Sequence, residues 1–362
     1  MSSSRILAIK LREIGDAVIW TSALQSLRAL YPEATIEVLV REHAEPVLRG
    51  QPWIDRVHVV SARTSLQLAR QLLSLRRQKY DLLLGFHATN TLCNLAPLSG
   101  TPNRILHYHK STRSPRFSTI AVPSPGKYEN AISKDHRVLQ ALGFDADPPP
   151  PRLVLSPEER GRARGELLAV YPELDNTGSK LLGLLPGGSR VTKRYPKDLW
   201  VGLLDHIAGE RPGGSIAVFA DRQLSLHWGL AKICGDRGVP LFDRMSLREL
   251  MGMLSWTDVV ISNDSGPKHI AVALGAKSVT LFGPSEVGEW HPYHRAEHPV
   301  LRVTVPCRDL GPQELEAFRY CTVPECHHLS CLRQIDPEEI WSVTHNLLAS
   351  PSVQGGQGRG RL

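Results

Sequence analysis

Three short segments combine glycine, hydroxyl, cationic and carboxylate residues in an order suited to handling a phosphate or a proton. The longest is Leu185-Pro186-Gly187-Gly188-Ser189-Arg190-Val191-Thr192-Lys193-Arg194-Tyr195-Pro196. Glycines let backbone amides approach a phosphate, the Ser189 hydroxyl donates to it, and Lys193 supplies a point charge. The Gly-Lys-Ser/Thr ending of a Walker A loop is missing, and taken alone the same string also describes a surface turn with solvated cations. The second segment is Ile261-Ser262-Asn263-Asp264-Ser265-Gly266-Pro267-Lys268-His269. Pro267 suits a first helical turn, and the free amides of a helix start with Ser265 beside them make an anion site. His269 lies one turn further in, where it either reaches the same anion or simply packs. The third is Leu11-Arg12-Glu13-Ile14-Gly15-Asp16-Ala17-Val18. Spacing alone favours Asp16 as a helix N-cap, and the Gly-x-Gly-x-x-Gly dinucleotide pattern is absent.

These segments need strands to aim them, and the chain supplies strands alternating with helices. Arg5–Leu11, Thr35–Val40, Val57–Val60 and Asp81–Gly85 read as strands, with a helix from Asp16 to Leu30 after the first. The run Asp145-Ala146-Asp147-Pro148-Pro149-Pro150-Pro151 breaks the pattern, because proline continues neither a helix nor a central strand. A polar helix over Pro157–Val170 follows, and alternation resumes: strands at Leu181–Leu185, Ser215–Ala220, Asp258–Ser262 and Ser278–Phe282, helices at Lys197–Ala208, Gln223–Arg237 and Asp336–Ala349. Such alternation means crossover units on parallel sheets. The expected class is α/β with two facing Rossmann-like domains, ligands lying in a cleft at the carboxyl ends of the strands. The expected division is 1–150, a linker and connecting helix over 151–178, a second domain over 179–349, and a Gly/Ser/Gln/Arg tail at 350–362 that lacks the apolar residues to fold.

At 362 residues, two domains suit the length. A 41% hydrophobic share excludes wholesale disorder, and no apolar run approaches the roughly 18 residues a spanning helix needs. The N-terminus carries no secretory pattern, so the expected compartment is the cytoplasm. Lys+Arg 43 against Asp+Glu 36 is a mild excess, but it is uneven. Leu82 to Tyr128 holds no Asp or Glu while carrying Arg104, Lys110, Arg113, Arg116 and Lys127, with His87, His107 and His109. This stretch is either an anion-attracting patch or a solvated basic loop; it lacks the interleaved stacking aromatics of a nucleic-acid binder. Cys307, Cys321, Cys326 and Cys331 crowd together near His327 and His328 but lack Cys-x-x-Cys spacing, and no metal site is assigned there.

Read together, Gly15-Asp16, then Gly188-Ser189-Arg190 with Lys193 and Pro196, then Asn263-Asp264-Ser265-Gly266-Pro267 with His269, then Leu281-Phe282-Gly283-Pro284 and Trp290-x-Pro292-Tyr293, resemble glycosyltransferase family 9, the heptosyltransferases of lipopolysaccharide core assembly. The resemblance spans residues 5 to about 345. It implies a GT-B fold, with an N-terminal acceptor domain and a C-terminal nucleotide-sugar domain. It also implies inverting, metal-independent transfer of a heptose, usually from ADP-heptose, with no cofactor. The matching positions make Asp16 the general base and Ser189, Lys193, Asp264, Ser265, Gly266 and His269 the donor contacts. Arg104, Lys110, Arg113 and Arg116 are expected to meet an anionic glycolipid acceptor, at the cytoplasmic side of the inner membrane or in peripheral contact with it. Alternative readings are a transfer to surface polysaccharide from another nucleotide sugar, a GT-B-like nucleotide-sugar epimerase, and a non-catalytic binding protein on the same fold. The chain departs from the pattern at Arg12-Glu13, at Ser22, at Lys268 where an apolar residue is common, and at Asp221-Arg222-Gln223, where a glycine-rich turn toward the nucleoside is usual.

Overall fold

A computed structural model of the chain describes residues 4–61, 64–108, 117–123, 129–176, 178–210, 215–307 and 326–350. It divides into two compact units, Met1–Val154 and Leu155–Leu362. The expected tail at 350–362 falls, from 351 on, outside the described residues.

The first unit is built on β1 (Arg5–Lys10), β2 (Thr35–Arg41), β3 (Arg56–Val60), β4 (Leu82–Ala88), β5 (Asn103–Tyr108) and β6 (Ile120–Pro123). They form one sheet in the order β3-β2-β1-β4-β5-β6. Every pairing is parallel, so all carboxyl ends leave the same edge. The second unit repeats this with β7 (Leu181–Leu185), β8 (Ser215–Phe219), β9 (Leu241–Phe242), β10 (Val259–Asn263), β11 (Lys277–Leu281) and β12 (Val300–Leu301). Its order is β12-β11-β10-β7-β8-β9, again wholly parallel. Read from the other edge, this is the first sheet's order. Both are the doubly wound arrangement, in which the strand order reverses between the first and fourth strands and a crevice opens there. The α/β expectation is borne out.

The central strands are apolar on both faces because helices cover both. Leu68, Leu72 and Leu75 of the helix Ser65–Leu75 bury against Leu7, Ile9, Leu83 and Leu106 of the first sheet. In the second unit Leu184, Ile261, Val279 and Leu281 pack with Trp200, Leu203 and Ile207 of the helix Lys197–Glu210 and with Ile340 and Trp341 of the helix Pro337–Ala349. The proline run is tied to the first unit: Ser22 donates to the Pro149 carbonyl, and Gln25 donates to that of Pro150 at 3.1 Å.

Three local expectations need correction. The first helix runs Ile14–Leu30 and begins two residues before Asp16. The expected helix Gln223–Arg237 is broken at Gly229, whose φ of 67° ends the helix Arg222–Trp228 before a second begins at Leu230. The acid-free stretch after Leu82 is not one loop. It contains β4, β5 and β6, and His107 is buried within it.

Candidate active site

Each candidate segment emerges from a switch point. In the second unit the glycine turn follows β7 and the Asp264 segment follows β10, and these strands are hydrogen-bonded neighbours. Asn263 clamps the two loops together. Its Oδ1 accepts from the Tyr195 amide at 2.9 Å, and its Nδ2 donates to the carbonyls of Pro186 and Gly187 at 2.8 and 2.9 Å. The Asn263 side chain itself is fully buried, where a satisfied amide rigidifies the backbone it bridges. Gly188 is thereby brought against the Asp264 segment: a Cβ there would stand 3.9 Å from Cβ of Ser265. Ser189 and Arg190 are exposed at the tip of the turn.

Asp264 is the electrostatic hub. Its Oδ2 takes the Lys193 ammonium at 2.8 Å and its Oδ1 that of Lys268 at 3.0 Å. Burial pushes its pKa up, but the two ammoniums outweigh burial and hold the carboxyl well below the usual carboxylate range. The lysines differ in what they can still do. Lys268 is 0% exposed, donates also to the Trp290 carbonyl at 3.0 Å, and lies 5.0 Å from the centre of the Phe282 ring. Burial lowers its pKa, with Asp264 opposing that shift. Lys193 keeps 23% of its side chain exposed, so its remaining N–H donors can meet a ligand. Two cations and one carboxylate leave a net positive charge beneath the loops.

The helix Gly266–Ala273 starts beside this cluster. Ser265 occupies the N-cap position but makes no capping bond, and its Oγ is buried without a partner among the described residues. The first amides therefore stay available, with a hydroxyl aimed at no protein acceptor. His269 is buried and shares a 2.5 Å hydrogen bond through Nδ1 with the Tyr293 hydroxyl. Burial first, then the Lys268 charge, hold its pKa well below the usual histidine value, so it is neutral near pH 7. His291 and His298, on either side of Tyr293, are lowered to about 3 and about 4 by the same two causes. Asp221, at the end of β8, caps the next helix by accepting from the Leu224 amide at 2.8 Å; its other oxygen lies 3.7 Å from where a Cβ on Gly187 would be.

In the first unit Asp16 is not the N-cap. That position belongs to Glu13, which makes no side-chain cap and instead lies 3.6 Å from Arg41 and 3.4 Å from His43. Asp16 sits half-buried in the first helical turn, and its carboxylate has no hydrogen bond or ion pair among the described residues. Behind it, Lys10 at the end of β1 and Asp135 on the helix Ala131–Gln140 form a buried 2.6 Å pair. Burial raises the Asp135 pKa to about 6 despite Lys10, and Asp16 is close enough to add to the rise. His87 stands at the end of β4 with φ of 52°, an uncommon conformation for a side chain of this size, its ring 6.0 Å from that of His107.

The expected acceptor cations fare differently. The Arg104 guanidinium is spent on the chain's own carbonyls, Phe117 at 2.6 Å, Pro102 at 3.3 Å and Thr101. Lys110, Arg113 and Arg116 lie outside the described residues, as does Cys321. Among the described residues no group of three or more His, Cys, Asp or Glu is placed to hold a metal, and no helix is long and apolar enough to cross a membrane.

Residues 67–311 match the family model for glycosyltransferase family 9 (heptosyltransferase). The chain belongs to glycosyltransferase family 9. It is therefore a transferase, as the motif order implied. Lipopolysaccharide heptosyltransferase 3 of Escherichia coli is 24% identical over 290 residues, covering 77% of this chain and 83% of that one. The glycosyl transferase family 9 structure from Veillonella parvula superposes with a TM-score of 0.77 at 22% identity, over 95% of this chain and 97% of that chain. The E. coli ADP-heptose LPS heptosyltransferase II does so with a TM-score of 0.71 at 19% identity, over 95% and 98%. The fold of this family 9 chain is that of these enzymes.

Lys268, Asn263 and the Lys10–Asp135 pair were not singled out as site residues by sequence. For Lys268 the available signal was its i,i+4 spacing from Asp264; for Lys10, a lysine closing an otherwise apolar strand.

Proposed function

We propose that this glycosyltransferase moves a heptose from a nucleotide-diphosphate donor, ADP-heptose by analogy with its relatives' names, to the lipopolysaccharide core, with inversion. The observation that carries the reading is the switch point of the second sheet, where the Gly188 turn, the partly exposed Lys193 ammonium and the uncapped helix start at Ser265 converge. A diphosphate leaving group gains charge as its bond to the sugar breaks. Lys193, the amides after Ser265 and the net charge around Asp264 stabilise that charge most in the transition state. Ser189 and Gly266 complete the donor contacts. Asp264 acts here by fixing the two lysines, and His269 acts as a neutral partner that holds Tyr293.

The acceptor hydroxyl oxygen attacks the anomeric carbon from the face opposite the leaving group. Its proton passes to the Asp16 carboxylate, and the bonding pair departs with the nucleoside diphosphate. Asp16 suits the role because nothing else among the described residues occupies it, whereas Glu13 is drawn toward Arg41 and His43. A lipid-anchored acceptor sets the working place at the cytoplasmic face of the inner membrane.

The test is to incubate the purified protein with ADP-heptose and heptose-free lipopolysaccharide. ADP should be released and the acceptor should gain one heptose by mass. Transfer only from a different nucleotide sugar would overturn the donor assignment, and Asp221 beside Gly187 is where such a preference would be built.

A further inference from the structure

The helix Ser65–Leu75 and the turn Arg76–Gln78 carry two opposed stripes. Leu68, Leu72 and Leu75 face the core. On the outside Leu66 and Leu73 are 58% and 47% exposed, and they alternate with exposed Arg70 and Arg77, giving Leu-Arg-Leu-Arg at i, i+4, i+7 and i+11. That spacing puts all four on one face. Neither Arg70 nor Arg77 has a hydrogen bond or ion pair among the described residues. The surrounding sequence offers no counter-charge either. From Arg56 to Tyr128 there are eleven Lys and Arg residues against one acid, Asp81, and Asp81 accepts from the Arg5 amide at 2.8 Å.

We propose that this Leu66-Arg70-Leu73-Arg77 face docks the first unit on an anionic bilayer, the leucines entering the acyl boundary while the arginines meet lipid phosphates. Exposed leucines rimmed by unpaired arginines are the chemistry of an interfacial helix. A second copy of the chain would set the same arginines against each other, which like charge opposes. Because the helix connects two parallel strands, it runs antiparallel to them. Lying in the membrane plane, it keeps the carboxyl edge from which Asp16 emerges facing along the bilayer surface, where a lipid-anchored sugar would lie.

The inference deepens the acceptor reading, since such an acceptor is met only at a bilayer. Vesicle binding is nonetheless measured without donor or acceptor, and ADP binding by calorimetry tests the transferase reading separately. Co-sedimentation with phosphatidylglycerol/phosphatidylethanolamine vesicles should capture the parent protein, and neutral phosphatidylcholine vesicles should not. The Arg70→Gln/Arg77→Gln variant should bind about thirtyfold more weakly. Leu66→Ser/Leu73→Ser should bind about tenfold more weakly or worse at unchanged melting temperature, because these side chains support no core contact. Absence of parent binding, or parent-like binding by the leucine variant, would overturn the proposal. So would a parent dimer in size-exclusion chromatography that the leucine variant abolishes, since the stripe would then cover a second copy.

Discussion

Asp264→Asn isolates the buried charge cluster, because it preserves shape and removes only the counter-charge between two ammoniums. Lys268, fully out of water, would lose its charged partner at 3.0 Å and keep only neutral acceptors such as the Trp290 carbonyl. Removing one partner of a buried pair costs roughly 3–5 kcal/mol. Deprotonation of Lys268 sets a ceiling: neutralising an amine of ordinary pKa at pH 7 costs ~1.36 × (10.4 − 7), or ~4.6 kcal/mol. The expected loss is therefore ~3–4.6 kcal/mol, a fall in Tm of roughly 6–18 °C for a unit of this size. The sign of the pH dependence follows. In the variant the folded state releases the Lys268 proton while the unfolded chain keeps it, so stability rises with pH. By pH 9 the ceiling drops to ~1.9 kcal/mol. Asp264→Asn/Lys268→Met, which leaves no buried ammonium, should regain most of the loss. The assay is thermal and urea unfolding from pH 6 to 9, with Lys232→Met as control. Lys232 also pairs i,i+4 at 2.8 Å but is 82% exposed, so its Tm should move by less than about 2 °C. An Asp264→Asn protein that melts within 2 °C of the parent at pH 7, or whose deficit does not shrink toward pH 9, would refute the buried cluster.

Other outcomes follow from the same geometry. Lys193→Ala should weaken ADP binding by about 10- to 100-fold in calorimetry, the value of a charge-assisted contact, with a smaller Tm loss than Asp264→Asn. Gly283→Ala places a Cβ 2.9 Å from Cγ of the buried Leu332 and should cost about 1–3 kcal/mol in urea unfolding. Asp135 has its pKa raised to about 6, so its contribution favours folding below the unfolded value near 4 and is lost as pH rises through about 6. Asp135→Asn should accordingly flatten stability between pH 4 and 6, while lowering it overall by leaving Lys10 unpaired.

What could be read from the sequence was what local pattern encodes. Strands such as Leu181–Leu185 and Thr35–Arg41 announce themselves as apolar runs, and the two loops after β7 and β10 do so by glycine, proline and hydroxyl placement. Strand β5 and the edge strands β6, β9 and β12 did not. They are short or polar, and Asn103-Arg104 or a two-residue Val300–Leu301 gives no period to detect. Burial of charge was the other blind spot. Lys268 on a helix reads as a solvated lysine until Phe282 and the Trp290 carbonyl close over it. The N-cap reading of Asp16 failed for a local reason: the helix takes in Ile14 and Gly15, which puts the carboxylate in the first turn and frees it.

The most direct measurement is steady-state heptose transfer by Asp16→Asn beside Glu13→Gln. Asparagine keeps the size of the side chain but accepts no proton, and a positioned base contributes ~10²–10⁴-fold in rate. The expected result is a kcat lowered by that range for Asp16→Asn, with ADP affinity and Tm near the parent's and Glu13→Gln close to parental. Transfer by Asp16→Asn at the parent rate would contradict the assignment, and a collapse confined to Glu13→Gln would move the base to that residue.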